Sequence, residues 1–324
     1  MDGTEDGRGG DRSRERYPEG RVRGAGRVGG ADGDAGSADE GGYSRDRDDG
    51  GAGNHQGAPT DDTPATAGRT LEELGLAVVP RDDPLAYPGV WPAESALLVG
   101  DRLLPLTRLV HEDRVPVLAV GSNASPGQLR AKLAESALTT PLPLVKVRVT
   151  GLDIGVSAHI SRMGYVSASP FVAPGAVREL FVTWLDAGQL AAVDASEGAT
   201  LAQGNYRRVW LPARDVRIDL ADGRTLPGAY VYVNRRGVLH DGGGTLLRHC
   251  DQRALLGALL AGLPRLRKLC GATPEEFCAR VRADPAVGRR GTRLFAEEGL
   301  VAASGLEGFG SGPAQGEARW HEAP

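Results

Sequence analysis

The chain has 324 residues, with 38 basic and 42 acidic side chains and a formal charge of −4. Duplex binding normally needs a concentrated basic face, so we predict no nucleic-acid partner. Three cysteines are too few for a disulfide framework, and the sequence has neither a secretory signal nor an apolar run of about 18 residues. We therefore predict a cytoplasmic protein without a membrane partner.

Composition divides the chain into five predicted segments. Residues 1–70 hold 18 of the 47 glycines and lack Leu, Ile, Phe, Trp and Cys. Such a stretch cannot offset its ordering entropy by burial, which predicts a disordered Gly/Asp/Arg-rich tail. The other predicted segments are an N-terminal extension at 71–114, a central domain at 115–245, a C-terminal helical extension at 246–303 and a flexible tail at 304–324.

The clearest local pattern is a buried strand that runs directly into a helix. The apolar run at 115–120 is typical of a buried strand, and it is followed by the turn Gly121-Ser122-Asn123. Ser125 is then a predicted N-cap, with Pro126 at the first helical position and Gln128 where a capping box needs it. A Gly-Ser-Asn turn is also common as a simple turn, since its polar side chains bond their own backbone.

Further along the chain, the patterns predict strands first and helices last. Val145, Val147 and Val149 alternate with charged residues, which predicts a half-buried strand. Another strand is expected at 177–185, and a short helix at 186–194 places Glu197 just past its end. The remaining predictions are a hairpin of strands 216–220 and 229–233 around Asp222-Gly223, and helices at 251–261 and 274–283.

This order of elements predicts an α+β fold rather than strict β-α-β alternation. We expect a mixed, partly closed β-barrel-like sheet with flanking helices, followed by the C-terminal helices. His240, His249 and Cys250 lie close in sequence, but no second pair stands at zinc-ligand spacing, so no metal site is predicted.

Three segments, in this order, resemble the γ-glutamylcyclotransferase-like family. Its members carry Tyr-Gly-Ser-Asn after their first strand and Leu-Asp-x-x-Glu-Gly before a Tyr-containing strand. The matching segments here are Val117–Asn123, Val193–Gly198 and Asn205–Val209. One departure stands out, because Val120 occupies the position where the family usually has Tyr.

The resemblance implies a reaction and a set of site residues. The α-amine of a γ-glutamyl group would attack its own γ-carbonyl and release 5-oxoproline, without a metal or cofactor. Glu197 would act as general acid/base, since one carboxyl group can take the ammonium proton and later deliver it to the leaving nitrogen. The implied substrate-binding residues are Val120, Gly121, Ser122, Asn123, Ala124 and Tyr206, and the implied partner is a small molecule with a γ-glutamyl or similar acyl group.

Two alternatives remain open from the sequence. The first is a non-catalytic relative that binds a small ligand or a partner, and Val120 favours it. The second is an amide hydrolase that uses Glu197 to activate water.

Overall fold

The computed structural model describes residues 68–109 and 113–313. The tail predicted at 1–70 lies outside this part of the chain, except for its last three residues. Residues 314–324 of the second predicted tail also lie outside it. Its first part, 304–313, is described and does not form the predicted flexible tail, because Leu306 is fully buried in a core and the Gly310 carbonyl accepts from the Trp210 amide at 2.8 Å.

The described ranges contain eleven β-strands and six α-helices. The strands are β1 (Arg69–Thr70), β2 (Ala96–Val99), β3 (Arg102–Pro105), β4 (Val115–Ala119), β5 (Leu142–Ile160), β6 (Val166–Leu185), β7 (Tyr206–Pro212), β8 (Arg217–Leu220), β9 (Gly228–Asn234), β10 (Val238–Leu239) and β11 (Val301–Ala302). The helices are α1 (Pro126–Glu135), α2 (Ala187–Glu197), α3 (Gln252–Gly262), α4 (Pro264–Cys270), α5 (Pro274–Ala283) and α6 (Pro285–Glu297).

The strands form one mixed sheet in the order β1-β3-β2-β5-β6-β4-β9-β7, with β8 and β10 also paired to β5 and β11 paired to β10. The β4–β9 pairing is parallel, and the other pairings between described strands are antiparallel. The predicted α+β class with a mixed sheet is confirmed. The predicted partial closure is not, because β1 and β7 are free ends of the path.

Strands β5 and β6 form a long ribbon that contributes side chains to three hydrophobic cores. Their pairing is interrupted between Thr150 and Leu152, where Gly151 has a φ of +98°. Before this bulge, Val147 and Val149 pack in a core with β4, β8 and β9. Beyond it, the ribbon packs against the C-terminal helices. The strands predicted from alternation are therefore present but continue much further.

The Asp222-Gly223 turn is present and closes a short antiparallel hairpin, in which Asp219 pairs with Thr225, but the predicted pairing of 216–220 with 229–233 is wrong. Gly223 has a φ of +87°, and its amide donates to the Leu220 carbonyl. However, β8 pairs with β5, whereas β9 pairs with β7 and β4. Local turn chemistry determines where the chain reverses direction. Strand β9, which follows, pairs with other strands of the sheet instead of with β8.

The two predicted additions share the sheet and cores of the central segment. β2 pairs with β5, and Leu71, Leu76 and Leu98 pack in a core with Leu129 of α1. β10 pairs with β11, which ties the C-terminal end to β5. Helices α3 and α5 match the predicted positions closely, whereas α4 and α6 were not predicted.

The helix ends differ from the predictions in two details. Ser125 is the N-cap of α1, but its side chain makes no capping bond, and Gln128 accepts instead from the Arg81 amide at 3.4 Å. Helix α2 continues to Glu197, which is its last residue, and Gly198 ends it in the left-handed conformation with a φ of 65°. The capping box forms at α2 instead, between Asp186 and Gln189.

A substitution in α1 tests the packing of the N-terminal segment. A Cβ atom at Gly127 would lie 2.5 Å from the Val78 carbonyl oxygen and 2.8 Å from that of Leu76. We expect Gly127→Ala to lower the free energy of unfolding by about 1–3 kcal/mol, because backbone atoms must move.

The matched control is Gly257→Ala in α3, where a Cβ atom would meet nothing within 4 Å. This change should be neutral or stabilise by up to about 1 kcal/mol through helix propensity. Urea denaturation measures both values, and equal effects would argue against the tight packing of this segment on α1.

Candidate active site

A cavity of about 440 Å³ lies beyond the end of β4. Of the sequence-predicted site residues, those that line it are Val120, Gly121, Ser122, Asn123, Glu197 and Tyr206. Ala124 does not line the cavity, and the prediction that its amide serves the ligand is wrong. It is fully buried, and its N–H donates to the Gly121 carbonyl at 3.0 Å.

The loop after β4 presents free backbone donors. Ser122 to Ala124 form one 3-10 turn, which leads into α1. Among residues 68–109 and 113–313, the amides of Gly121, Ser122 and Asn123 have no hydrogen-bond partner. Amides at the start of a helical turn point away from its own carbonyl groups, so they can bind an anionic oxygen.

Glu197 is joined to this loop by direct contacts. Asn123 Nδ2 donates to Glu197 Oε1 at 3.1 Å, and Lys132 Nζ donates to the same oxygen at 2.7 Å. Lys132 Nζ also donates to Asn123 Oδ1 at 2.7 Å. Glu197 Oε2 has no protein partner in the described part of the chain. One oxygen of this carboxylate is therefore held in place, and the other is available to a ligand.

The charged pair is shielded from solvent, with side-chain exposures of 8% for Lys132 and 14% for Glu197. Lys132 was missed by the sequence analysis. Two signals pointed to it: it is one of only three lysines in the chain, and it follows Gln128 by four residues. That spacing puts both on one face of α1, and both line the cavity.

A second network fixes α2 one turn before Glu197. Asp194 accepts a hydrogen bond from the Tyr232 hydroxyl at 2.7 Å and two from the Arg208 guanidinium at 2.9 and 3.2 Å. The guanidinium also lies 4.5 Å from the centre of the Tyr230 ring. These charge-assisted bonds hold the helix end against β7 and β9, and so position the Glu197 side chain.

Four tyrosines line the cavity, and sequence analysis identified only Tyr206. Burial raises the pKa of Tyr165 to about 12, and the negative charge of Glu197 adds to the effect. The pKa values of Tyr87, Tyr206 and Tyr232 are also raised, in each case mainly by burial. At neutral pH these hydroxyls therefore keep their protons and can act as hydrogen-bond donors.

His159 is a neutral group in the cavity wall. Burial, with a smaller effect from Arg236, lowers its pKa to about 3. Asn234 Nδ2 contacts His159 Nδ1 at 2.9 Å, and the Asn234 Oδ1 accepts from the Arg236 amide at 2.8 Å, which fixes the amide orientation. Because the amide nitrogen only donates, Nδ1 accepts and the ring proton lies on Nε2.

The described ranges contain no group of three or more His, Cys, Asp or Glu side chains arranged to hold a metal ion. Their helices include none of the length and apolarity needed to cross a membrane.

Comparison with protein-family models gives no match, and comparison with curated proteins gives none. Among solved structures, a gamma-glutamyl cyclotransferase shares 15% identity over 52% of this chain and 87% of its own, with a TM-score of 0.30. An Arabidopsis thaliana protein has 17% sequence identity, covering 38% of this chain and 70% of its own, with a TM-score of 0.27. An uncharacterized Homo sapiens protein has 16% sequence identity, covering 38% of this chain and 67% of its own, with a TM-score of 0.26. TM-scores this low carry no argument for a shared family.

The shielded pair predicts a strong coupling between two substitutions. Lys132→Met leaves the Glu197 carboxylate without its cation, and we expect the free energy of unfolding to fall by up to about 3 kcal/mol. Adding Glu197→Gln removes the unpaired charge and should recover part of that loss. Urea denaturation of the two single variants and the double variant measures the coupling, and simple additivity would contradict it.

Two buried histidines predict an acid-sensitive fold. The pKa of His159 is lowered to about 3 and that of His249 to about 4, both mainly by burial. Below about pH 6.5 these histidines bind protons in the unfolded chain but not in the native state, so the free energy of unfolding falls as the pH falls. Each histidine contributes up to about 1.4 kcal/mol per pH unit.

We therefore expect the free energy of unfolding to decrease from pH 6.5 to pH 4, and His159→Gln to reduce the slope. His240→Gln is the control, because it keeps both buried histidines. A profile unchanged by His159→Gln would contradict the buried, neutral state of this ring.

Proposed function

We propose that this protein releases 5-oxoproline from a γ-glutamyl amine or peptide by intramolecular aminolysis, with Glu197 as general acid/base. The observation that carries the proposal is the 3.1 Å contact between Asn123 Nδ2 and Glu197 Oε1. It joins the only acidic side chain of the predicted site to a loop with three unused amide donors. An acid and an oxyanion-binding loop in one cavity are the two parts that this reaction needs.

The proton transfers are assigned to the free oxygen of Glu197. Oε2 takes a proton from the α-ammonium group of the substrate, and the resulting amine attacks the γ-carbonyl carbon. A new C–N bond closes the five-membered ring. The old amide C–N bond breaks as the same carboxyl group delivers this proton to the departing nitrogen. The ring nitrogen still carries a second proton from the attacking amine, which passes through the same carboxylate to the released amine, so the net products are 5-oxoproline and an ammonium ion.

Lys132 is proposed to hold the acid in place rather than to react. It donates to Glu197 Oε1 and to Asn123 Oδ1, both at 2.7 Å, so it fixes the carboxylate relative to the loop. A fixed carboxylate needs little reorganisation during proton transfer. Since ring closure within one substrate depends mainly on conformation, such positioning contributes directly to rate.

The loop amides are proposed to bind the anionic oxygens of the substrate. Gly121, Ser122 and Asn123 offer backbone donors without a protein partner among the residues described. Donors held by the backbone are already oriented before the reaction begins. Loss of one such donor typically costs about 10²–10³-fold in rate.

The test is release of 5-oxoproline from a panel of γ-glutamyl amines and dipeptides. Glu197→Gln keeps the size of the side chain but cannot accept the proton, so kcat should fall by about 10²–10⁴-fold. Binding of substrate should change much less, which calorimetry with the inactive variant measures.

The control is Glu94→Gln, an exposed carboxylate that does not line the cavity. It should keep wild-type turnover. Free glutamate as product would instead indicate hydrolysis by activated water. Ligand binding without any turnover by the wild type would indicate a non-catalytic binding protein.

A further inference from the structure

Tyr87 belongs to the N-terminal segment, far in sequence from the predicted site, yet it lines the cavity. Its side chain is 5% exposed. The ring stacks on Tyr165, with centroids 4.4 Å apart and an interplanar angle of 21°, and makes an edge contact with His249 at 5.3 Å. These contacts fix the ring and hence the position of the hydroxyl group.

The hydroxyl of Tyr87 lies directly beside the loop. A Cβ atom at Gly121 would be 2.5 Å from the hydroxyl oxygen, so this close approach requires glycine. The oxygen accepts a hydrogen bond from the Ala168 amide at 2.9 Å. Its own proton has no acceptor within residues 68–109 and 113–313, although a buried hydroxyl normally donates as well as accepts.

This part of the cavity therefore contains four hydrogen-bond donors that have no partner among the residues described. The Tyr87 hydroxyl and the amides of Gly121, Ser122 and Asn123 all offer protons. Burial raises the pKa of Tyr87 well above its ordinary value, so the hydroxyl remains a donor at any physiological pH. Such a set is satisfied by a group that only accepts, and an ionised carboxylate is the commonest one.

We propose that Tyr87 binds the ligand by donating its hydroxyl proton to a carboxylate oxygen held against the Gly121–Asn123 amides. This assignment rests on the proposed function for the identity of the ligand. The N-terminal segment thus supplies a binding group that neither the loop nor the acid contributes. Val120, which lines the same cavity, has no hydroxyl to offer.

The test compares two ligands that differ in one group. 5-Oxoproline carries a carboxylate, and 2-pyrrolidinone has the same ring without it. NMR titration of the labelled wild type and of Tyr87→Phe gives a Kd for each. We expect Tyr87→Phe to weaken binding of 5-oxoproline by about 10- to 100-fold and that of 2-pyrrolidinone by less than about twofold.

Tyr230→Phe is the matched control, because Tyr230 does not line the cavity and the change keeps the ring that contacts Trp210 and the Arg208 guanidinium. It should leave both dissociation constants unchanged. Tyr87→Phe leaves the Ala168 amide without its partner in either case, so a lower melting temperature does not distinguish the two roles. A purely structural role of Tyr87 would weaken the binding of both ligands equally. Equal losses, or no loss, for the two ligands would overturn the proposal, as would failure of the wild type to bind 5-oxoproline.

A second variant covers the case in which Tyr87→Phe does not fold. Gly121→Ala pushes the Tyr87 hydroxyl away without removing it. We expect this variant, like Tyr87→Phe, to bind 5-oxoproline more weakly while its binding of 2-pyrrolidinone changes little. Turnover assays separate the two proposals. A selective loss in a protein that never releases 5-oxoproline would retain the role of Tyr87 and reject the reaction, whereas normal turnover and binding by Tyr87→Phe would reject only its role.

Discussion

The site depends on one shielded contact, in which Lys132 and Asn123 both donate to a single oxygen of Glu197. The three side chains come from α1, from the loop before it and from the end of α2. A charge removed from water needs its partner, so separation of these elements would leave an unpaired ion in a largely buried position. The contact therefore fixes where the two helices meet, and with them the acid and the loop.

The cavity around this contact is lined by residues from elements that pack in two different cores, one with α1 and α2 and one with the C-terminal helices. The loop and Glu197 belong to the side of β4, α1 and α2. His159 and Ser167 come from the far ends of β5 and β6, and Tyr165 comes from the turn that joins these strands. The bulge at Gly151 lets one ribbon reach both groups. A cavity at such a junction can combine charged groups from one side with neutral donors from the other, because each set is held by its own core.

The N-terminal segment is part of this construction. Its strands extend the sheet through β5, and Gly127 is needed because the chain at Leu76 and Val78 lies directly against α1. The same segment carries Tyr87 to the loop, where Gly121 leaves room for its hydroxyl. Gly127 thus allows close packing of the segment, and Gly121 allows the Tyr87 side chain to reach the cavity.

The sequence by itself determined the local features: the strand-loop-helix connection at Gly121, the helix that leads to Glu197, the Asp222-Gly223 turn and two C-terminal helices. These follow from periodicity, capping and turn chemistry, which act over a few residues. Tertiary structure alone decided the strand partners, the burial of Lys132 against Glu197 and the position of Tyr87 beside Gly121. The two side-chain contacts join residues 65 or more positions apart. They are stabilised by shared burial and paired charge, which no local sequence pattern reveals.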